Sequence, residues 1–168
     1  MVVVIDADYR EETRRGHAAG VLAKTLLDAA ETAVVCATVE DVGAYIPGQF
    51  YRRELKCVDA ILQQLDMDSV SLIVIDGYAD SGTPQKALGT YVFEQYGVPV
   101  IGVAKNRYKG CAVSNTEIVR GTCRKKLYVT AKGMDHEAAK DLVRRMYGPH
   151  RLPYLIKLAD ACARDWSR

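Results

Sequence analysis

The chain opens on an unbroken apolar run, Val2-Val3-Val4-Ile5, that ends at Asp6. β-Branched residues in such a run predict a strand, Val2–Asp6, buried on both faces. Thr32–Val39 carries the same signature. His17–Leu26 is ambiguous, because Ala, Leu and Lys also favour helix; beside Thr32–Val39 it is read as the partner strand. Tyr45-Ile46-Pro47-Gly48 breaks the chain, and helical spacing then predicts a helix from about Gln49 to Leu65. Ser71–Asp76 and Val98–Ala104 are further buried strands. Between them lie the loop Tyr78–Pro84 and a helix from about Gln85 to Tyr96, stopped by Gly97 and Pro99. Cys111–Val119 and Lys126–Thr130 read as strands, and Asp135–Tyr147 as a helix. On the last helix, Pro153–Trp166, residues Leu155, Leu158, Ala159, Cys162 and Trp166 recur at helical spacing and should dock on the core. A meander of strands followed by alternating helices and strands predicts an α/β fold, a mixed sheet flanked by helices.

Composition narrows the class. The chain has 168 residues, 49% hydrophobic and 26% charged, which suits one globular domain and excludes wholesale disorder. No apolar run approaches the ~20 residues that span a bilayer, so no membrane partner is expected. The start lacks the pattern of an export signal, and a cytoplasmic, reducing location is expected. The five cysteines are odd in number and form no CxxC pair, which suggests neither a disulfide framework nor a zinc site. Net charge is only +2, but Lys and Arg crowd residues 105–109, 120–126 and 144–151. Such patches suit a phosphate-bearing partner, although solvated surface charge explains any one of them equally well.

Three carboxylates carry the chemistry. Asp6 and Asp76 each end an otherwise apolar strand, and in open α/β sheets the carboxyl ends of strands line the ligand crevice. Each alone would serve as an ordinary cap. Glu54 shares a helix face with Val58, Ile61 and Leu65, so it lies on a core-facing stripe. A carboxylate there needs a cation, a proton or a basic partner; Arg52 or Arg53 is the plain alternative. A divalent metal accounts for all three together, since Mg²⁺ is held by a few carboxylates, waters and substrate phosphate. Lys105, ending the strand Val98–Ala104, would add a phosphate contact. Gly102-Val103-Ala104-Lys105 is not a P-loop, and no dinucleotide fingerprint or hydrolytic triad is present. His17, His136 and His150 read as surface or turn residues. Tyr45-Ile46-Pro47-Gly48 places a ring and a branched side chain on a stiff turn, suited either to wedge into a base stack or to cover the helix start.

In order, Asp6, Tyr45-Ile46-Pro47-Gly48 with Phe50, Arg53-Glu54, Val74-Ile75-Asp76-Gly77, Leu88-Gly89, Gly102-Val103-Ala104-Lys105, Leu127-Tyr128-Val129-Thr130, Arg151-Leu152-Pro153 and Ala159-Asp160 resemble the endonuclease V family over almost the whole chain. The resemblance implies a ribonuclease-H-like fold and Mg²⁺-dependent hydrolysis, with Mn²⁺ as a substitute. It implies cleavage of DNA or RNA on the 3′ side of inosine, at the second phosphodiester, leaving 3′-hydroxyl and 5′-phosphate ends. By the same match Asp6 and Asp76 are the main metal ligands and Glu54 the third. Tyr45, Ile46 and Pro47 form the wedge, Gly48 and Gly77 border the base pocket, and Lys105 binds phosphate. A monomer is expected.

The sequence departs from the family at three places. It opens directly on the first strand, where the family usually carries a preceding helical segment. Asp76-Gly77-Tyr78-Ala79 replaces Asp-Gly-His/Asn-Gly. Where the family strand is expected to lead into Gly-His, the fourth active-site position, this chain has Ala131-Lys132. Lys132 is therefore expected to slow catalysis or raise the metal requirement, and the alternative is a nucleic-acid-binding homologue with weak or lost catalysis.

Overall fold

The computed structural model describes residues 1–44, 46 and 51–167. Its elements are β1 (Val2–Arg10), β2 (Arg15–Ala23), β3 (Ala33–Val39), α1 (Tyr51–Leu62), β4 (Leu72–Asp76), α2 (Leu88–Tyr96), β5 (Val100–Ala104), β6 (Glu117–Ile118), β7 (Leu127–Lys132), α3 (His136–Arg145) and α4 (Tyr154–Arg164). The strands join one sheet in the order β3-β2-β1-β4-β5-β7-β6. At its centre β1, β4 and β5 pair in parallel, and the flanking pairings are antiparallel. This is the mixed, helix-flanked sheet that the hydrophobic pattern predicts.

β2 settles the ambiguity of the second segment. Every residue of β1 has a partner in β2, and a full ladder outweighs the modest helix preference of Ala and Leu. The hairpin also lengthens β1 to Arg10, so Asp6 lies within the strand and does not end it. Only the pairing with β4 stops early, at Ile5↔Ile75. The segment Cys111–Val119 forms a strand only at Glu117–Ile118. Its earlier part is drawn elsewhere, with Ala112 N donating to Ser81 O at 2.7 Å and Asn115 in the left-handed region at φ 56. The expected start of α1 at Gln49 lies outside the described residues, and the helix ends at Leu62, before Leu65.

Alternation along the strands divides the core into two layers. Val3, Ile5, Ile73, Ile75 and Val100 pack with α1 and α2, whereas Val2, Val4, Val74, Ile101 and Val103 pack with α3 and α4. α1 comes very close to β2, where a Cβ on Gly20 would stand 2.4 Å from Ile61 Cγ2. The missing side chain brings α1 down onto the sheet. On α4, Leu155, Ala159 and Cys162 are buried as expected and Leu158 packs partly. Trp166 follows the helix and rests on the His17 ring, with centroids 5.3 Å apart.

Candidate active site

Immediately beyond the Ile5↔Ile75 pair come Asp6 and Asp76, at the carboxyl end of β4. They continue the parity of Val4 and Val74 and so share the side of the sheet covered by α4. There Asp6, Asp76, Lys105, Asp160 and Arg164 line a cleft of about 70 Å³. On the other side α1 presents Glu54, and Asp6, Glu54, Asp76 and Leu88 line an adjoining cavity of about 150 Å³. The two carboxylates of the central strands thus stand between one acid on α1 and another on α4.

Burial and crowding shape their charge. Burial first, then the neighbouring Asp76, pushes Asp6 from the usual 3.8 up to about 7, against a hydrogen bond from Ala7 N at 2.7 Å. Burial, followed by Asp76 and Asp6, raises Glu54 to about 8. Asp76 is raised by burial and by Asp160, with Lys105 opposing. Asp160 behaves differently: burial favours its neutral form, but hydrogen bonds from Arg164 and the charge of Lys105 hold it below the ordinary range. Arg53 favours the charged form of Glu54, against burial and the two aspartates. It donates to Glu11 Oε1 at 2.8 Å and lies 4.6 Å over the Tyr9 ring.

Lys105 is where the sequence places it, at the end of β5. Its Nζ is 3.4 Å from Asp160 Oδ1 and 4.0 Å from Asp76 Oδ2. Arg151 anchors the backbone there, donating through Nη2 to the carbonyls of Lys105 and Lys126 at 2.5 and 2.6 Å. Gly77 lies beyond Asp76, in the left-handed region at φ 109 that favours glycine. With Glu54, Tyr78, Leu88 and Tyr108 it lines a third cavity, of about 350 Å³. Ile46 is exposed, and Tyr45, Pro47 and Gly48 lie outside the described residues.

Lys132 is not brought to these carboxylates. β7 runs antiparallel to β5 and pairs Lys132 with Val100 at the start of that strand, about 13 Å of strand from the rim that carries Lys105. Its Nζ lies 3.6 Å from Asp80 Oδ2. From the last part of the chain Asp160 and Arg164, both on α4, join Asp6 and Asp76, and in the sequence Asp160 stands only within the family resemblance. A signal was available, since Asp160 adjoins Ala159 on the buried stripe of α4. Lys132→His and Lys132→Ala should therefore cleave within about twofold of wild type at every Mg²⁺ concentration. A clear gain from histidine in a rate-against-metal titration would return Lys132 to the site. His17 also departs from the surface reading. It is 1% exposed, and its Nδ1 donates to Ala163 O at 2.8 Å, tying α4 to β2.

The donor set suits a hard divalent cation, with the carboxylate oxygens of Asp6 and Asp76 facing Asp160 across a cleft. Among the described residues no three His, Cys, Asp or Glu side chains already converge at ligating distance, and Lys105 supplies the positive charge between Asp76 and Asp160.

Known proteins carry the same architecture. The solved endonuclease V of Streptomyces avermitilis matches at 26% identity and a TM-score of 0.76, over 97% of this chain and 79% of that one. The catalytic domain of human endonuclease V matches at 19% identity and a TM-score of 0.80, over 99% and 82%. Ciona intestinalis endonuclease V, in complex with a 24mer DNA containing an inosine followed by a ribo-adenosine, matches at 17% identity and a TM-score of 0.79, over 97% and 83%. No curated protein sequence matches. The fold is ribonuclease-H-like, and no helix among the described residues is long and apolar enough to cross a membrane. The family model for endonuclease V matches residues 1–128, and with most of its length matched the chain belongs to the endonuclease V family of nucleases.

Proposed function

We propose that this protein is a divalent-metal-dependent endonuclease that hydrolyses inosine-containing nucleic acid 3′ to the inosine, leaving 3′-hydroxyl and 5′-phosphate ends. The observation that carries the reading is the meeting of Asp6, Asp76 and Asp160 beside Lys105, next to a purine-sized cavity reached by Glu54 and Gly77. Asp6 and Asp76 would hold the Mg²⁺ (or Mn²⁺), with Glu54 and Asp160 on either side. When bound, the cation offsets the developing charge on the attacked phosphate and leaving oxygen.

The chain's own residues do the rest. Lys105 draws the phosphate to the cleft and, in its absence, quiets Asp76 and Asp160. Around neutral pH the raised proton affinities of Asp6 and Glu54 keep both partly protonated, so cation binding must displace protons. The half-open cavity beside Gly77 receives the base; its glycine lets backbone groups approach the ring. The inosine-bearing DNA of the Ciona structure supports the assignment of base and partner.

The test is incubation of single-stranded inosine DNA and RNA with Mg²⁺ or chelator, and mapping of the cut. Mg²⁺-dependent cleavage 3′ to inosine supports the reading, and cleavage that ignores inosine or metal defeats it. A second reading, a nucleic-acid-binding homologue with weak catalysis, is favoured by Lys105 standing between Asp76 and Asp160 where a cation's charge is needed; tight inosine binding without cleavage would establish it. In the wedge role proposed for Tyr45 to Pro47, Tyr45→Ala should lower cleavage of inosine in duplex about tenfold more than in single strands, because only a duplex must be opened first. Equal losses on both substrates would count against strand separation.

A further inference from the structure

The cavities of the site adjoin one another through shared walls. The 70 Å³ cleft and the 150 Å³ cavity share Asp6 and Asp76. The latter shares Glu54 and Leu88 with the 350 Å³ cavity beside Gly77. That one in turn shares Tyr78 and Tyr108 with a fourth cavity, of about 520 Å³, between the 107–117 loop and α3. The Tyr78–Tyr108 pair is thus a ridge between two chambers. It is held by an edge contact with centroids 5.8 Å apart, and Tyr78 Oη accepts from Tyr108 N at 2.9 Å and donates to Asn106 O at 3.1 Å.

We propose that the outer chamber is a subsite for the nucleotide on the 5′ side of inosine, its base against the Tyr108 ring and its phosphate on Arg107. This rests on the reading of the inner chamber as the inosine site. A strand cut 3′ to inosine has its scissile phosphate at the carboxylates and its inosine in the inner chamber, so the chain continuing outward over the ridge is the 5′ side. The outer chamber's size falls within the range of small-ligand pockets. Its ring offers the sequence-tolerant stacking that single strands use, for Tyr108 is 46% exposed. The charges also fit. Glu117 and Glu137, the acids of the chamber, are already matched by Lys126 and Lys140, and Lys140 is itself 95% buried against the wall, being 5% exposed. Arg107 is exposed, and no hydrogen bond or ion pair holds it among the described residues. Its planar guanidinium is free to take two phosphate oxygens.

The experiment measures binding of single strands by fluorescence anisotropy with Ca²⁺ in place of Mg²⁺ to slow cleavage. One set begins at inosine with a free 5′-hydroxyl, a second carries one added 5′ nucleotide, and both are repeated with adenine for inosine. Wild type should gain roughly tenfold in affinity from the added nucleotide, the size of one stacking contact. The salt dependence should steepen by about 0.7 in log–log slope for the one new phosphate. Arg107→Ala should lose the added salt slope and part of that gain while binding the strand that begins at inosine as wild type does, and Arg107→Lys should keep more of both. No gain in wild type, or an equal gain in Arg107→Ala, overturns the subsite. Preference for inosine without an Arg107-dependent gain leaves the inner-chamber reading standing and removes only the subsite. An Arg107-dependent gain together with equal affinity for inosine and adenine strands supports the subsite and defeats the inosine reading, and no binding at all overturns both.

Discussion

Asp76→Asn should lower cleavage of an inosine-containing strand by on the order of a thousandfold while the protein stays folded, and Asp6→Asn should do the same. Both residues face the cleft from two of the three central parallel strands, where under the proposed function charge must be stabilised in the transition state. Neither substitution removes a packing contact, and each relieves repulsion within the acidic group. Asp6 makes that relief measurable. Its carboxyl is raised from 3.8 to about 7 in the folded protein, so the folded state binds its proton more tightly than the unfolded chain does. The stabilising effect of that proton is full below about pH 4 and is lost as pH rises through about 7. In chelator at pH 8, Asp6→Asn should therefore melt higher than wild type, by roughly 4 °C for an effect on the order of 1 to 2 kcal/mol. The gain should vanish near pH 4. Wild-type turnover of either variant, or a Tm difference independent of pH, would remove Asp6 and Asp76 from the metal role or from the charged cluster respectively.

Gly102→Ala should destabilise the fold by about 3 kcal/mol and impair the site from a distance. A Cβ at Gly102 would stand 2.3 Å from Ala79 N and 2.6 Å from Gly77 O. Those are backbone atoms held in place, for Ala79 N donates to Thr130 Oγ1 at 2.8 Å and Gly77 N to Val103 O at 3.2 Å. Relief requires lifting the segment that leads from Asp76 along the floor of the base cavity. Thermal melting and inosine-strand affinity should both fall. A variant with wild-type Tm and binding would show that the segment yields freely, and that its fixed path is not what shapes the cavity.

Asp6, Asp76, Glu54 and Lys105 were legible in the sequence because each marks a polar interruption at the end of an apolar run or on a core-facing stripe. The convergence of Asp6, Asp76 and Lys105 follows from β1, β4 and β5 running parallel, which puts those positions at one rim, while α1 brings Glu54 from the adjoining face. Lys132 was misplaced for a reason equally physical. A residue following a strand reaches that rim only if the strand points the same way, and β7 runs opposite to β5. Strand direction is set by pairing across the sheet and leaves no trace in local spacing. Asp160 was not singled out because the stripe of α4 names the face that docks, not the residue beside it that meets Asp6 and Asp76 at the strand ends. The 111–119 segment read as a strand because its β-branched residues suit one, yet its backbone bonds to the loop after β4 instead. The wedge residues Tyr45 and Pro47, and Gly48 of the base pocket, lie outside the described residues and rest on the sequence pattern alone.

α4 supplies Asp160 and is tied to β2 through His17 and Ala163, whereas Asp6 lies on the first strand. A growing polypeptide on the ribosome therefore carries Asp6, Glu54 and Asp76 through the second half of its synthesis without the element that walls the cleft at Asp6 and Asp76. Completion of the acidic set waits for translation to pass α4 and for that helix to dock, so under the proposed function a nascent chain would lack its full acidic set until synthesis is nearly done.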